Sequence, residues 1–97
     1  MGRVFARALL LVLIASAAAC TSVGTMSKQL DVGMPELQVR TLLGEPYSIE
    51  LSTCGSNTGN PWQCKQFNYY DSSASLMIVY FSQSSSGTWV VNNWSVF

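Results

Sequence analysis

Three cysteines, five carboxylates and no histidine are the side chains with which this chain of 97 residues could do chemistry. Without histidine the commonest general base at neutral pH is missing. The acids Asp31, Glu36, Glu45, Glu50 and Asp71 are scattered with no close pair, and the serines stand in turn-like runs such as "DSSAS" and "SQSSSG" with no base beside them. Acid–base or nucleophilic catalysis is therefore not expected, and no cofactor is implied. Cys54 and Cys64 do not suit a zinc site, because a closed site needs four ligands and no histidine can supply the rest. A redox motif would hold its cysteines about two residues apart, whereas nine residues lie between these two.

The remaining cysteine, Cys20, ends the stretch "LVLIASAAAC". Arg3 and Arg7 precede it with no acid, and Ala8 to Ala19 contain neither charge nor helix breaker. A basic start, an apolar run and small residues at Ala17, Ala18 and Ala19 make the layout of a signal peptide. The run is shorter than the roughly 20 apolar residues that cross a bilayer. A cysteine directly after the small residues resembles the bacterial lipobox, in which the sulfur takes a diacylglycerol before cleavage. Residues 1–19 are accordingly expected to be a leader, Cys20 a lipidated N-terminus, and residues 20–24 a tether. Thr21 follows in place of the aspartate that retains lipoprotein in the inner membrane, so outer-membrane anchoring on the periplasmic side is expected.

Removal of the leader takes Arg3 and Arg7 with it and leaves three cations, Lys28, Arg40 and Lys65, against five acids. No basic patch remains, which argues against nucleic-acid binding. The mature chain suffices for one small domain, residues 25–97, whose core alone is marginal. Cys54 and Cys64 flank "GSNTGNPWQ", a run rich in turn formers, and an exported protein meets an oxidising compartment. A disulfide between them is expected, worth about 3 kcal/mol in the chain-entropy account.

The elements that would carry these residues can be read from periodicity. A brief helix is expected within Thr25 to Gly33. In "GMPELQVRTLLGEP", Val39, Leu42 and Leu43 define one apolar helical face, with Glu36 and Arg40 four apart on another. Pro35 suits the first helical position, and Gly44 followed by Pro46 is a stop, giving a helix from about Pro35 to Leu43. After Pro46 the period drops to two: Tyr47, Ile49 and Leu51 alternate with Ser48, Glu50 and Ser52 as a half-buried strand. "KQFNYYD" places Phe67 and Tyr69 on one face, "LMIVYF" is a dense apolar strand, and "TWVVNNWSVF" ends the chain with Trp89 and Val91 on one side. The expected fold is α+β: two short N-terminal helices packed on a three- to four-stranded antiparallel meander.

Gly33, Met34, Val39, Leu43, Gly44 and Pro46, followed by aromatic-rich strands, resemble the signature of the BamE (SmpA/OmlA) family of lipoproteins. The likeness runs over about residues 25–97. From their own backbone preferences, Gly33 is expected to turn the chain between helices, Gly44 to close the second helix in a left-handed conformation, and Pro46 to send the chain out extended. Pro35 stands where that family often has Ser or Thr, so the helix lacks a side-chain cap unless Gln38 reaches back. The resemblance implies a non-enzymatic outer-membrane lipoprotein that binds protein partners, as an accessory to outer-membrane protein assembly or envelope integrity. The alternative is an exported inhibitor or ligand-binding module related to β-lactamase inhibitor proteins, using a sheet face. Trp62, Trp89, Trp94, Tyr69, Tyr70 and Tyr80 are its candidates, and Trp62, Tyr70 and Trp94 are the expected partner-binding residues.

Overall fold

The computed structural model describes residues 21–97. Among the described residues two short α-helices, α1 (Val23–Ser27) and α2 (Glu36–Leu43), precede four strands: β1 (Ser48–Cys54), β2 (Trp62–Tyr70), β3 (Leu76–Gln83) and β4 (Trp89–Val96). The fold is α+β. The strands form one antiparallel sheet in sequence order, β1-β2-β3-β4. The leader and the lipidation site at Cys20 lie outside the described residues.

The tether is shorter than expected. Val23, placed in it by its sequence position, is buried in the core as the first residue of α1. Ser22 caps that helix, its hydroxyl accepting the Thr25 N–H at 3.2 Å, which is the role a serine fills best at a helix start. Apolar burial at Val23 thus draws the folded domain to within three residues of Cys20.

α2 begins one residue later than its periodicity suggested. Pro35 is the cap, without a side-chain cap bond since its ring carries no polar atom, and its extended conformation suits the isolated bridge it forms to Val90 of β4. The Gly33 N–H donates to Val91 O at 2.7 Å and the Val91 N–H to Met34 O at 2.8 Å. The turn between the helices therefore acts as a partial fifth strand along the outer edge of β4. This edge is covered.

Val39 is fully buried and Leu43 packs against the core, but Leu42 is 43% exposed, so it does not join the apolar face expected of it. Glu36 and Arg40 do not pair with each other. Lys65 Nζ donates to both Glu36 carboxylate oxygens at 3.2 Å and lies 5.0 Å from the Trp89 ring centroid. The Arg40 guanidinium sits 5.2 Å over the Phe67 ring. Both helix residues are aimed at β2 and its neighbours, where a partner in a half-dry site is worth more than a solvated contact along the helix.

Gly44 ends α2 with φ 86° and ψ −175°. The positive φ is as expected; the conformation is not left-handed helical but the extended mirror region that only glycine occupies readily. It turns the Gly44 carbonyl onto the sheet, where it accepts the Tyr69 hydroxyl at 3.0 Å.

The core lies between the helices and one face of the sheet, called here the inner face. Phe67, Tyr69, Met77, Val79, Phe81 and Val91 supply it from the strands. The Phe67 and Phe81 rings are 4.5 Å apart, centroid to centroid. β4 carries an irregularity: Tyr80 is opposite Asn93 but Phe81 is opposite Val91, leaving Asn92 as an extra residue. The extra residue shifts the alternation, so Trp89 and Val91 before it and Trp94 after it all reach the inner face.

Candidate functional site

The helices do not cover the whole inner face. α1 lies against β3 and β4, and α2 against β4 with its side chains reaching β2. The register sets Ile49 opposite Phe67 and Leu51 opposite Lys65, so both lie on the inner face. Yet Ile49 is 44% and Leu51 63% exposed, and Tyr47, just ahead of β1, is 80% exposed. The alternation read from the sequence is real, but the strand is not half-buried, because the side that alternation prepares for burial has no helix over it.

β1 is also the open edge of the sheet. Among the described residues no strand lies on its far side, whereas β4 has the Gly33–Pro35 turn. It runs seven residues without proline, lysine or bulge, with Glu50 its only charge. An edge strand of this kind offers a row of backbone donors and acceptors together with an apolar face, the two requirements for adding an extended segment.

The outer face carries no helix and has a different character. Cys54 and Cys64 are joined in a disulfide on this face, with Cα atoms 5.8 Å apart. The bond staples the end of β1 to β2 around the Gly55–Pro61 loop. Cys64 is buried, and the Ser52 hydroxyl donates to its sulfur at 3.2 Å while accepting from the Gln66 amide at 2.9 Å. Beside it lies a shallow depression lined by Trp62, Gln66, Tyr80 and Asn93 among others.

The three aromatics expected to bind a partner, Trp62, Tyr70 and Trp94, do not converge. Trp62 is half-buried at the disulfide end of β2, and Tyr70 is 51% exposed at its other end. Trp94 packs against the core and is a structural residue, as are Trp89 and the buried Tyr69. Sequence reasoning missed Ile49 and Leu51 as surface residues. Alternation names the face a side chain points to, and nothing in a strand's own sequence says whether that face is roofed.

Two titratable groups are displaced. Burial pushes the Tyr69 phenol well above its usual value, with the Glu45 charge adding and Arg40 opposing. The Asp71 carboxyl is lowered from an ordinary 3.8 to about 2, first by the Ser73 hydroxyl and then by the Val23 N–H, against an opposing desolvation effect, with the Ser73 and Ser75 N–H groups assisting less. These bonds measure 2.6, 3.1, 2.9 and 3.1 Å. Both groups are held in place by folding contacts. Among the described residues no group of three or more His, Cys, Asp or Glu is gathered as a metal would require, and no helix is long and apolar enough to cross a membrane.

Comparison of the chain with protein-family models, with curated proteins and with solved structures finds no match.

Proposed function

We propose that this chain is a non-enzymatic outer-membrane lipoprotein, anchored on the periplasmic side through lipid on Cys20, that binds protein partners as an accessory to outer-membrane protein assembly or envelope integrity. The leader and lipobox pattern of residues 1–20 support the anchor. The BamE-like run Gly33, Met34, Val39, Leu43, Gly44 and Pro46, set in helices ahead of a four-stranded meander, supports the assembly role. The observation that carries partner binding is the roofless β1 edge with Tyr47, Ile49 and Leu51 exposed. A partner would add an extended segment along β1, its alternate apolar side chains resting on Ile49 and Leu51. No metal, cofactor or nucleic acid takes part in this reading.

A second reading, an exported inhibitor or ligand-binding module of the β-lactamase-inhibitor-like kind, is favoured by the outer-face depression beside Trp62 and Tyr80. One experiment separates the two. A photo-crosslinking side chain at Leu51, activated in living cells, should capture components of the barrel-assembly machinery, and Ile49→Lys should reduce that capture without lowering Tm. Capture at Trp62 but not at Leu51, with a single soluble or cell-wall target, would transfer support to the inhibitor reading.

A further inference from the structure

The sheet has two unlike ends. At one lie the Gly55–Pro61 loop and the turn of residues 84–88, built only from Gly, Ser, Thr, Asn and Pro. At the other lie the start of β1, the end of β2, the start of β3 and the end of β4. Here Tyr47, Tyr70 and Phe97 are 80%, 51% and 68% exposed. The Tyr47 and Tyr70 rings meet edge to face with centroids 5.1 Å apart, and Phe97 is tied to the start of β3 at the same end, its N–H donating to Leu76 O at 2.8 Å. Ala74, in the turn after β2, lines a shallow hollow with the two tyrosines.

The chain enters the domain at this same end. The Val23 N–H donates to Asp71 Oδ2 at 3.1 Å, and Asp71 directly follows Tyr70. The first described helix is therefore bonded to the turn that directly follows Tyr70. Three residue steps from Cys20 to Val23 span at most about 11 Å even when fully extended. The headgroup layer on each side of a bilayer is itself about 5 to 8 Å deep. With residue 20 at a bilayer, the leash lets Val23 stand no more than about 3 to 6 Å beyond that layer, a gap within the length of a tyrosine side chain.

We infer that Tyr47, Tyr70 and Phe97 form a membrane-contact rim that seats the domain end-on against the lipid interface, with the polar loops pointing away. The inference rests on the lipid-anchor reading for what holds residue 20 at the membrane. Tyrosine suits such a position because its ring takes apolar contact while its hydroxyl stays hydrated. No lysine or arginine stands among residues 44–49, 69–77 or 95–97 that build this end, and the cation that reaches it from α2, Arg40, faces Glu45 at 3.9 Å, so that with Asp71 the balance of charge there is acidic. Contact therefore rests on the rings and not on attraction to anionic lipid.

The test uses the full chain isolated from membranes and reconstituted in vesicles of phosphatidylethanolamine with a minority of phosphatidylglycerol, doped with a lipid carrying a photoactivatable diazirine near its glycerol backbone. Mass spectrometry should place lipid adducts on Tyr47, Tyr70 and Phe97, several-fold above those on residues 55–61 and 84–88, and unchanged by added salt. Tyr47→Ser with Phe97→Ser should keep Tm, since both side chains are exposed, and lose most adducts at Tyr70. Adducts spread evenly over both ends, concentrated on the polar loops, or abolished by salt overturn the rim. The same spectra report acylation of Cys20: acyl chains without rim adducts sink the rim and leave the anchor standing, whereas rim adducts without acyl chains sink the anchor and leave the rim.

Discussion

The Asp71 carboxylate accepts the backbone N–H of Val23, 48 residues earlier in the chain, at 3.1 Å. The turn between β2 and β3 is thereby bonded to the first turn of α1, at the point where the folded domain begins. Asp71 Oδ1 meanwhile accepts from Ser73 and Ser75 and shapes the turn itself. One carboxylate organises the turn and docks the N-terminal helix.

That contact predicts a pH response. The folded-state value is depressed, from 3.8 to about 2, so the stabilisation is present in full above the unfolded value and is lost as pH falls through the folded one. Hydrogen exchange at the Val23 amide, corrected for intrinsic rate, should show steady protection at neutral pH and a decline below about pH 4. Asp71→Asn should lower protection at neutral pH and flatten the decline. Equal protection in the variant at neutral pH would show that α1 is docked by Val23 burial alone.

Gly44→Val should destabilise the fold through the backbone. A Cβ at this position meets nothing within 4 Å, so no clash is involved, but φ is 86°. Forcing a β-branched residue there costs about 1 to 3 kcal/mol, and the shift of the carbonyl also weakens the bond from Tyr69. In a domain this small Tm should fall by about 4 °C or more. Gln83→Ala, which removes one exposed bond to Gly87 O, should stay within about 0.5 kcal/mol of the parent. A Gly44→Val chain melting with the parent would mean that α2 can end in another conformation.

Breaking the disulfide should cost about 3 kcal/mol and spare the fold. The bond closes a loop of sequence separation 10 between strands that are already paired. Chemical denaturation of Cys54→Ser against the parent, with and without reductant, measures it. Mass spectrometry of unreduced protein should find no alkylatable thiol at Cys54 or Cys64.

Cys20→Ser should abolish fatty-acid labelling and leave the protein unprocessed or released; label that persists would end the lipoprotein reading. The short leash adds a second expectation. A Gly/Ser linker of about 20 residues placed between Cys20 and Thr21 should preserve Tm yet complement a deletion poorly, because the effective concentration at a membrane-bound partner falls as the leash lengthens. Full complementation with the long linker would separate function from proximity.

Much of the architecture was legible in the chain because it depends on neighbours in sequence. The residues "ELQVRTLL" make a helix that glycine and proline stop, the period changes to two after Pro46, and "GSNTGNP" between two cysteines is a loop short enough for a disulfide to span. These are local matters of backbone freedom, spacing and turn chemistry. The face of Phe67 and Tyr69 was legible for the same reason.

Other features depended on contacts across the chain. Val23 reads as tether, yet it is core because Asp71 and the inner face of the sheet receive it. Glu36 and Arg40 read as a helical pair, yet each turns to β2 because a dry aromatic ring or a lysine lies there. Trp94 reads as a surface aromatic, yet one extra residue at Asn92 rotates it inward. Tyr47, ahead of β1, turns to meet Tyr70, but alternation in Ile49 and Leu51 determined which way their side chains point, since that follows from the pleat of one strand. Whether they are buried was decided only when α1 and α2 came to rest over β3 and β4, because burial belongs to the layer above a strand and the two short helices cannot also roof β1.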